Sequence, residues 1–194
     1  MKNVLIINGH QAWDMSPGGY NGALVELAQT TLGELGHQTL TSVVDDEWDV
    51  ETEIERFIWA DDIIFQFPVY WFGVPWKLKK YIDEVYMIGR GRIFQNDGRT
   101  PDDPSRKYGT GGLLAPRRYM LSMTWNAPEI AHYGEGQLFE QRGPDGNFFW
   151  LHKANVFCGL TGMPSFNCNN IVKAPDIDRD RRRWREHLRE NWGV

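Results

Sequence analysis

The chain predicts an α/β fold: five parallel strands in one sheet, helices on both faces, in a single domain spanning residues 1–194. Three observations lead there. Short apolar runs rich in Val and Ile recur along the chain, as expected of strands buried on both faces. Segments with helical periodicity alternate with them. The connections in the first half are short, and a β-α-β-α order of this kind is laid down as parallel strands with helical crossovers.

Taken in order, Asn3 to Ile7 is the first strand, ended by Asn8-Gly9, and a polar loop runs from His10 to about Tyr20. A helix follows with Leu24, Ala28, Thr31 and Leu35 on one face and Gly36 as its C-terminal cap. Leu40 to Val44 is the second strand. Asp49 is placed to cap the next helix, with Glu51 and Glu53 in its first turn and Ile54, Phe57 and Ile58 turned inward. Ile63 to Phe67 is the third strand, which Pro68 stops because it cannot donate to the ladder. Tyr70, Trp71 and Phe72 come next, then Gly73 and Pro75. A helix from Trp76 to about Tyr86 puts Leu78, Ile82 and Val85 on one face. Gly89 to Gly112 is a long insert without regular structure, a length that usually has a purpose. Tyr119 to Thr124 is the fourth strand, Phe148 to about Leu160 a helix, and Phe166 to Val172 a fifth strand. Asp176 to Trp192 is a terminal helix with Ile177, Trp184 and Leu188 inward.

The net charge of −5 gives no reason to expect nucleic acid or an anionic membrane as partner. The arginine-rich RDRRRWREHLRE is interleaved with Asp178, Asp180, Glu186 and Glu190, the pattern of a solvated helix face. No apolar run approaches a membrane span and the N-terminus lacks a signal-peptide layout, so a cytoplasmic location without membrane insertion is expected. Cys158 and Cys168 lack metal-ligand spacing and are expected as free thiols. No metal site is expected. There is no GxxxxGK[ST], so an NTPase is not indicated.

Flat aromatic side chains at the carboxyl end of a buried strand suit a planar cofactor, since ligands of open α/β sheets bind at that edge. The same rings would also suit a core or a subunit interface. In the loop Asp14 to Gly22, unpaired N–H groups at a helix N-terminus can seat a phosphate. Ser16 offers a hydroxyl there, Gly18 and Gly19 allow close approach, and Asn21 can cap the helix or bond the anion; an ordinary capped turn would look alike.

The motifs VLIINGH, FPVYWFGVPWKLKKYID, GRTPDDPSRKYGTGG, YMLSMTWNAP and HKANVFCG occur in that order. Together they resemble the NAD(P)H:quinone oxidoreductases related to DT-diaphorase, and most closely the bacterial modulator of drug activity B type, over essentially the whole chain. The resemblance implies a flavodoxin-like sheet of strand order 2-1-3-4-5 and a bound FAD, rather than FMN, that takes hydride from NADPH or NADH and passes two electrons to a quinone in a ping-pong cycle. It implies a homodimer with the flavin sites at the subunit boundary. The candidate cofactor-binding residues are Ser16, Pro17, Gly18, Gly19, Tyr20, Asn21, Gly22 and Ala23 in the first loop, Val69, Tyr70, Trp71 and Phe72 in the second, Thr124, Trp125, Asn126 and Ala127 in the third, and Tyr108 in the insert. The family usually shows His-Ser-x-Gly-x-Leu-Asn in the first loop; here Met15 stands for the His and Tyr20 for the Leu. Tyr70, Trp71 and Trp125 are expected to wall the ring. His132 and Tyr133 are candidate partners of a quinone oxygen, and Arg90, Arg92 and Arg99 candidate contacts of a nucleotide 2′-phosphate; solvated surface positions are the alternative for all five. The competing function is a flavodoxin-like electron carrier or regulatory subunit that binds flavin without quinone turnover.

Overall fold

The computed structural model describes residues 1–193. The strands are β1 (Asn3–Asn8), β2 (Gln38–Val43), β3 (Asp62–Pro68), β4 (Arg118–Thr124), β5 (Thr161–Gly162) and β6 (Phe166–Cys168). The helices are α1 (Gly19–Glu34), α2 (Val50–Trp59), α3 (Trp76–Ile88), α4 (Glu129–Tyr133), α5 (Gly143–Asn147), α6 (Phe149–Phe157) and α7 (Ile177–Trp192). All pairings are parallel and the order is β2-β1-β3-β4-β5, with β6 also on β4.

The expected fifth strand is therefore corrected. Its position beside β4 is filled in two pieces: β5 pairs Arg118–Tyr119 and β6 pairs Ser122–Thr124. Pro164 falls between them, where a ladder donor is missing. Residues 169–172 leave the sheet, with Asn170 in the left-handed region at φ 62°.

Alternation along the strands divides the interior. Leu5, Ile7, Ile63, Phe65, Phe67, Leu121 and Met123 pack toward α2, α3 and α6. Val4, Ile6, Ile64, Met120 and Phe166 pack toward α1 and α7, whose Trp184 and Leu188 are fully buried. At the end of α1, Gly36 has φ 80°; its N–H bonds the Gly33 carbonyl at 3.0 Å and the His37 N–H bonds Leu32 at 2.9 Å, so the helix is closed by a Schellman turn. Asp49 caps α2 as expected, accepting the Thr52 N–H at 2.8 Å.

Glu51 and Glu53 stand in the first turn of α2 as expected. Glu53 is buried and accepts from Ser42 Oγ (2.5 Å), Tyr81 Oη (2.6 Å) and Arg56 Nη1 (2.7 Å). Asp180 is also buried and belongs to a closed cluster rather than to a solvated face. A third buried carboxylate, Asp62 at the start of β3, accepts from Arg118 Nε and Nη2 (2.7 and 2.6 Å), Lys2 Nζ (3.0 Å) and Trp192 Nε1 (2.8 Å). Burial pushes its carboxyl up, but Arg118 and Lys2 outweigh this and hold it below the usual carboxylate range.

Candidate cofactor and substrate site

Three loops meet at the carboxyl edge of the sheet. Beneath them runs a buried polar chain. Asn21 Nδ2 donates to Asn8 Oδ1 (2.7 Å), Gln66 Nε2 donates to Asn21 Oδ1 (3.0 Å), and Ser122 Oγ donates to Gln66 Oε1 (2.6 Å). These residues sit near the ends of β1, β3 and β4 and at the start of α1, so one chain of bonds fixes the floor of all three loops. Asn21 is 2% exposed and both ends of its amide are engaged, which overturns its expected side-chain role as cap or anion ligand.

The first loop, residues 9–18, is folded by its own contacts. Trp13 and Ser16 exchange backbone bonds (2.8 and 3.2 Å), and the His10 ring bonds the Ser16 carbonyl at 3.0 Å. Gly18 sits on that ring: its φ is +91°, and a Cβ there would lie 2.4 Å from His10 Cε1. Ala12 N–H bonds Asp45 Oδ2 at 3.0 Å, while Lys77 Nζ holds Asp45 Oδ1 at 2.6 Å. The bond from Lys77, then that from Ala12, lowers the Asp45 carboxyl pKa. Gly18 is the N-cap residue of α1, so no side chain caps the helix, and its first turn carries no acidic residue. Among the described residues, no acceptor receives the N–H of Gly19, Tyr20 or Asn21. Gly19 is open, with nothing within 4 Å of an added Cβ. Such an end favours an anion through its dipole and its free donors. The Tyr20 hydroxyl, in contrast, is bonded to Asp180 Oδ2 at 2.6 Å and is turned toward α7, correcting the expectation that its side chain holds the cofactor.

The second loop carries strain. Tyr70 and Gly73 exchange backbone bonds of 3.0 Å each way, closing a two-residue turn. The two residues in it, Trp71 (φ 47°) and Phe72 (φ 66°), are both left-handed, a conformation that is unusual for bulky side chains and concentrates at functional sites. Trp71 is 94% exposed and Phe72 52%. Asn147 Nδ2 holds the Phe72 carbonyl at 2.5 Å. Tyr70 joins this loop to the first: its hydroxyl meets Ser16 Oγ at 2.8 Å and donates to the Gln11 carbonyl at 3.1 Å. Burial first, and then Asp45, raise its pKa against the Ser16 bond, so it remains a neutral donor. Between the two loops lies a cleft of about 1000 Å³, walled by residues 11–16 on one side and by 69–71 and 74–76 on the other.

The third loop departs from expectation. Trp125 is 3% exposed and its ring packs edge-on against His132, Phe139 and Phe148. Its N–H bonds Cys168 and its carbonyl accepts from Ile171, so it is a core residue and does not wall the cleft. Thr124 is buried and its carbonyl accepts the Val69 N–H at 2.9 Å. Asn126 is exposed and Ala127 half-buried. His132 is fully buried, stacked on Phe139 with centroids 4.5 Å apart, and among the described residues neither ring nitrogen has a hydrogen-bond partner. Burial lowers its pKa, with Asn169 and Glu129 offsetting part of the effect. It does not line the cleft. Tyr133 is exposed on α4.

Tyr108 lies on the insert, packed against Phe157 with the Arg99 guanidinium over its ring, and does not line the cleft. Arg92 is paired with Glu51 and Glu55 and Arg99 with Asp97; Arg90 donates to the Gln95 carbonyl. Sequence reasoning missed the cleft residues Gln11, Trp13 and Trp76, although Trp13, an aromatic in a polar loop, was a usable signal. It also missed the chain Asn8, Gln66 and Ser122, signalled by single polar residues inside the apolar runs IIN, FQF and LSM.

A doubly wound parallel sheet with an open aromatic cleft at its carboxyl edge, beside an uncapped helix, defines the flavodoxin-like class. The chain belongs to the Flavodoxin_2 family, of flavodoxin-like fold, whose model matches residues 2–188. It is 43% identical over 191 residues to the NADPH:quinone oxidoreductase MdaB of Haemophilus influenzae, covering 98% of this chain and 100% of that one. Among solved structures it is similar to a candidate quinone reductase of Klebsiella pneumoniae, with TM-score 0.80, 23% identity, and 100% and 86% of the two chains covered. It also resembles general stress protein 14 of Treponema denticola, solved in complex with FMN, with TM-score 0.72, 18% identity, and 98% and 99% covered. These last two likenesses speak to the fold. Among the described residues no helix is long and apolar enough to cross a membrane.

Proposed function

We propose that the protein is an NAD(P)H:quinone oxidoreductase that works through bound FAD. The observation that carries this reading is the cleft between residues 11–16 and residues 69–71 and 74–76, open to solvent, whose wall residue Ser16 stands two residues before Gly18, the N-cap of α1. The residues present fit a flavin. The N–H groups of Gly19, Tyr20 and Asn21, with the Ser16 hydroxyl, would receive phosphate oxygens. Val69, Tyr70 and Trp71 offer apolar surface and backbone to a flat ring, while Phe72 packs on Phe139; Asn126 and Ala127 border the same sheet edge. When bound, flavin supplies the chemistry of accepting hydride and passing on two electrons.

The protein's own work is placement and polarity. Trp71 and Trp13 exclude water from the faces of a bound flat molecule. The Tyr70 hydroxyl, fixed between Ser16 and Gln11, presents a neutral donor at the cleft wall. One cleft serves nicotinamide and quinone in turn, which gives a ping-pong order. The similarity to the Haemophilus enzyme supports the quinone and nicotinamide substrates, and the resemblance of the whole chain supports FAD over the FMN found in the Treponema protein. We further propose a cytoplasmic homodimer. Met87, Ile88, Phe149 and Trp150 leave apolar surface exposed on α3 and α6, and a second subunit would cover it.

The test is to release and identify the flavin, then follow NADPH oxidation with menadione while both substrates vary. FAD and parallel reciprocal lines are expected. Intersecting lines would refute the shared cleft, and tight FAD without menadione-dependent oxidation would replace the enzyme by an electron carrier.

A further inference from the structure

The turn of α1 proposed to seat the phosphates is fastened from outside the site. Gly18 and Gly19 open it, one left-handed and the other with no neighbour within 4 Å of an added Cβ, so neither restrains its direction. Tyr20 is the first side chain able to do so. Its hydroxyl donates to Asp180 Oδ2 at 2.6 Å. Asp180 lies in the first turn of α7 and is fully buried, and its Oδ1 accepts Arg179 Nε and Arg183 Nη1, each at 3.1 Å. Helices α1 and α7 run side by side in the same direction: past the Tyr20–Asp180 bond, Trp184 Nε1 donates to the Leu24 carbonyl at 3.0 Å, and His37 bonds the Trp192 carbonyl at 3.0 Å. Both helix N-termini therefore meet at Asp180. Two dipoles and two guanidinium groups favour its ionised form there, where a lone buried carboxylate would be unfavourable.

We propose that Tyr20 and Asp180 are positioning residues for the cofactor: their bond aims the first-turn N–H groups of α1 at the phosphates without touching them. The inference rests on the flavin reading above. An apolar side chain at position 20 could pack on α7 but could not set direction.

The test uses FAD and the dissociation constant of the purified holoprotein, read from flavin fluorescence on dilution. Tyr20→Phe keeps the ring and loses the bond; about tenfold weaker FAD binding is expected, the size of one hydrogen bond to a charged group. Asp180→Ala is expected to weaken FAD to a similar degree, and adding Tyr20→Phe to it should cause no further loss. Tyr20→Phe within twofold of wild type, or additive losses in the double variant, would each overturn the proposal. Wild-type protein holding no FAD would overturn the flavin reading itself, and this inference with it.

Discussion

Gly18→Ala probes the packing of the first loop. The new methyl would sit 2.4, 2.6 and 2.8 Å from His10 Cε1, Nδ1 and Nε2, far inside van der Waals contact. The ring cannot swing aside cheaply, because it is 8% exposed and bonded to the Ser16 carbonyl. The left-handed φ of +91° adds about 1–2 kcal/mol for any residue with a Cβ. Displacing the ring costs a further hydrogen bond, about 1 kcal/mol. A loss of about 2–3 kcal/mol is therefore expected in the midpoint of urea unfolding, with weaker flavin retention because Ser16 moves with the ring. In a His10→Ala background the same substitution should cost only the backbone part, about 1–2 kcal/mol. A Gly18→Ala protein within about 0.5 kcal/mol of wild type, or an equal cost in both backgrounds, would refute the stacking of Gly18 on His10 as the reason for glycine there.

Trp71→Gly should relieve left-handed strain and stabilise the fold by up to about 1 kcal/mol in urea unfolding while lowering turnover with menadione, a trade in opposite directions that a merely structural Trp would not give. Asp62→Asn should cost about 1–3 kcal/mol, since Arg118 and Lys2 lose their buried partner but keep access to solvent. Because the Asp62 pKa is depressed on folding, its contribution is present above the unfolded carboxylate value of about 3.9 and fades as pH falls through the lower folded value. Wild type should thus lose stability on acidification below about pH 4 more steeply than the variant, as read by denaturation at stepped pH. His132→Phe should be neutral or stabilising and leave the pH profile of menadione reduction unchanged. As its ring is buried and its pKa lowered, the variant should also resist unfolding better as pH drops below about 6.5. A lost inflection in the rate profile would return His132 to the chemistry.

The layers were legible because Val, Ile and Phe runs bounded by Gly and Pro leave few other arrangements. Strand order was legible only through resemblance, because periodicity says which face a residue takes and not which strand lies beside it. The short helices α4 and α5 escaped notice, being five residues each, and α5 is made of Gly, Pro and polar residues. In the site, loop positions could be read but side-chain directions could not. Asn21 and Trp125 carry chemistry suited to a ligand, yet the fold turns both inward, because Gln66 and Asn8 reach the first and Phe139 and Phe148 enclose the second. Asp180 looked solvated by its arginine neighbours, and only tertiary packing brought Tyr20 to it.

The row of bonds from Asn8 through Asn21 and Gln66 to Ser122 separates what can vary from what cannot. Below it the sheet is locked in register by side chains as well as by backbone. Above it, Trp13, Met15, Trp71 and Trp76 answer to no partner in the row. A new substrate preference can thus be written into the rim by exchanging those residues alone, while any attempt to widen the site from underneath would first have to unpick three strands.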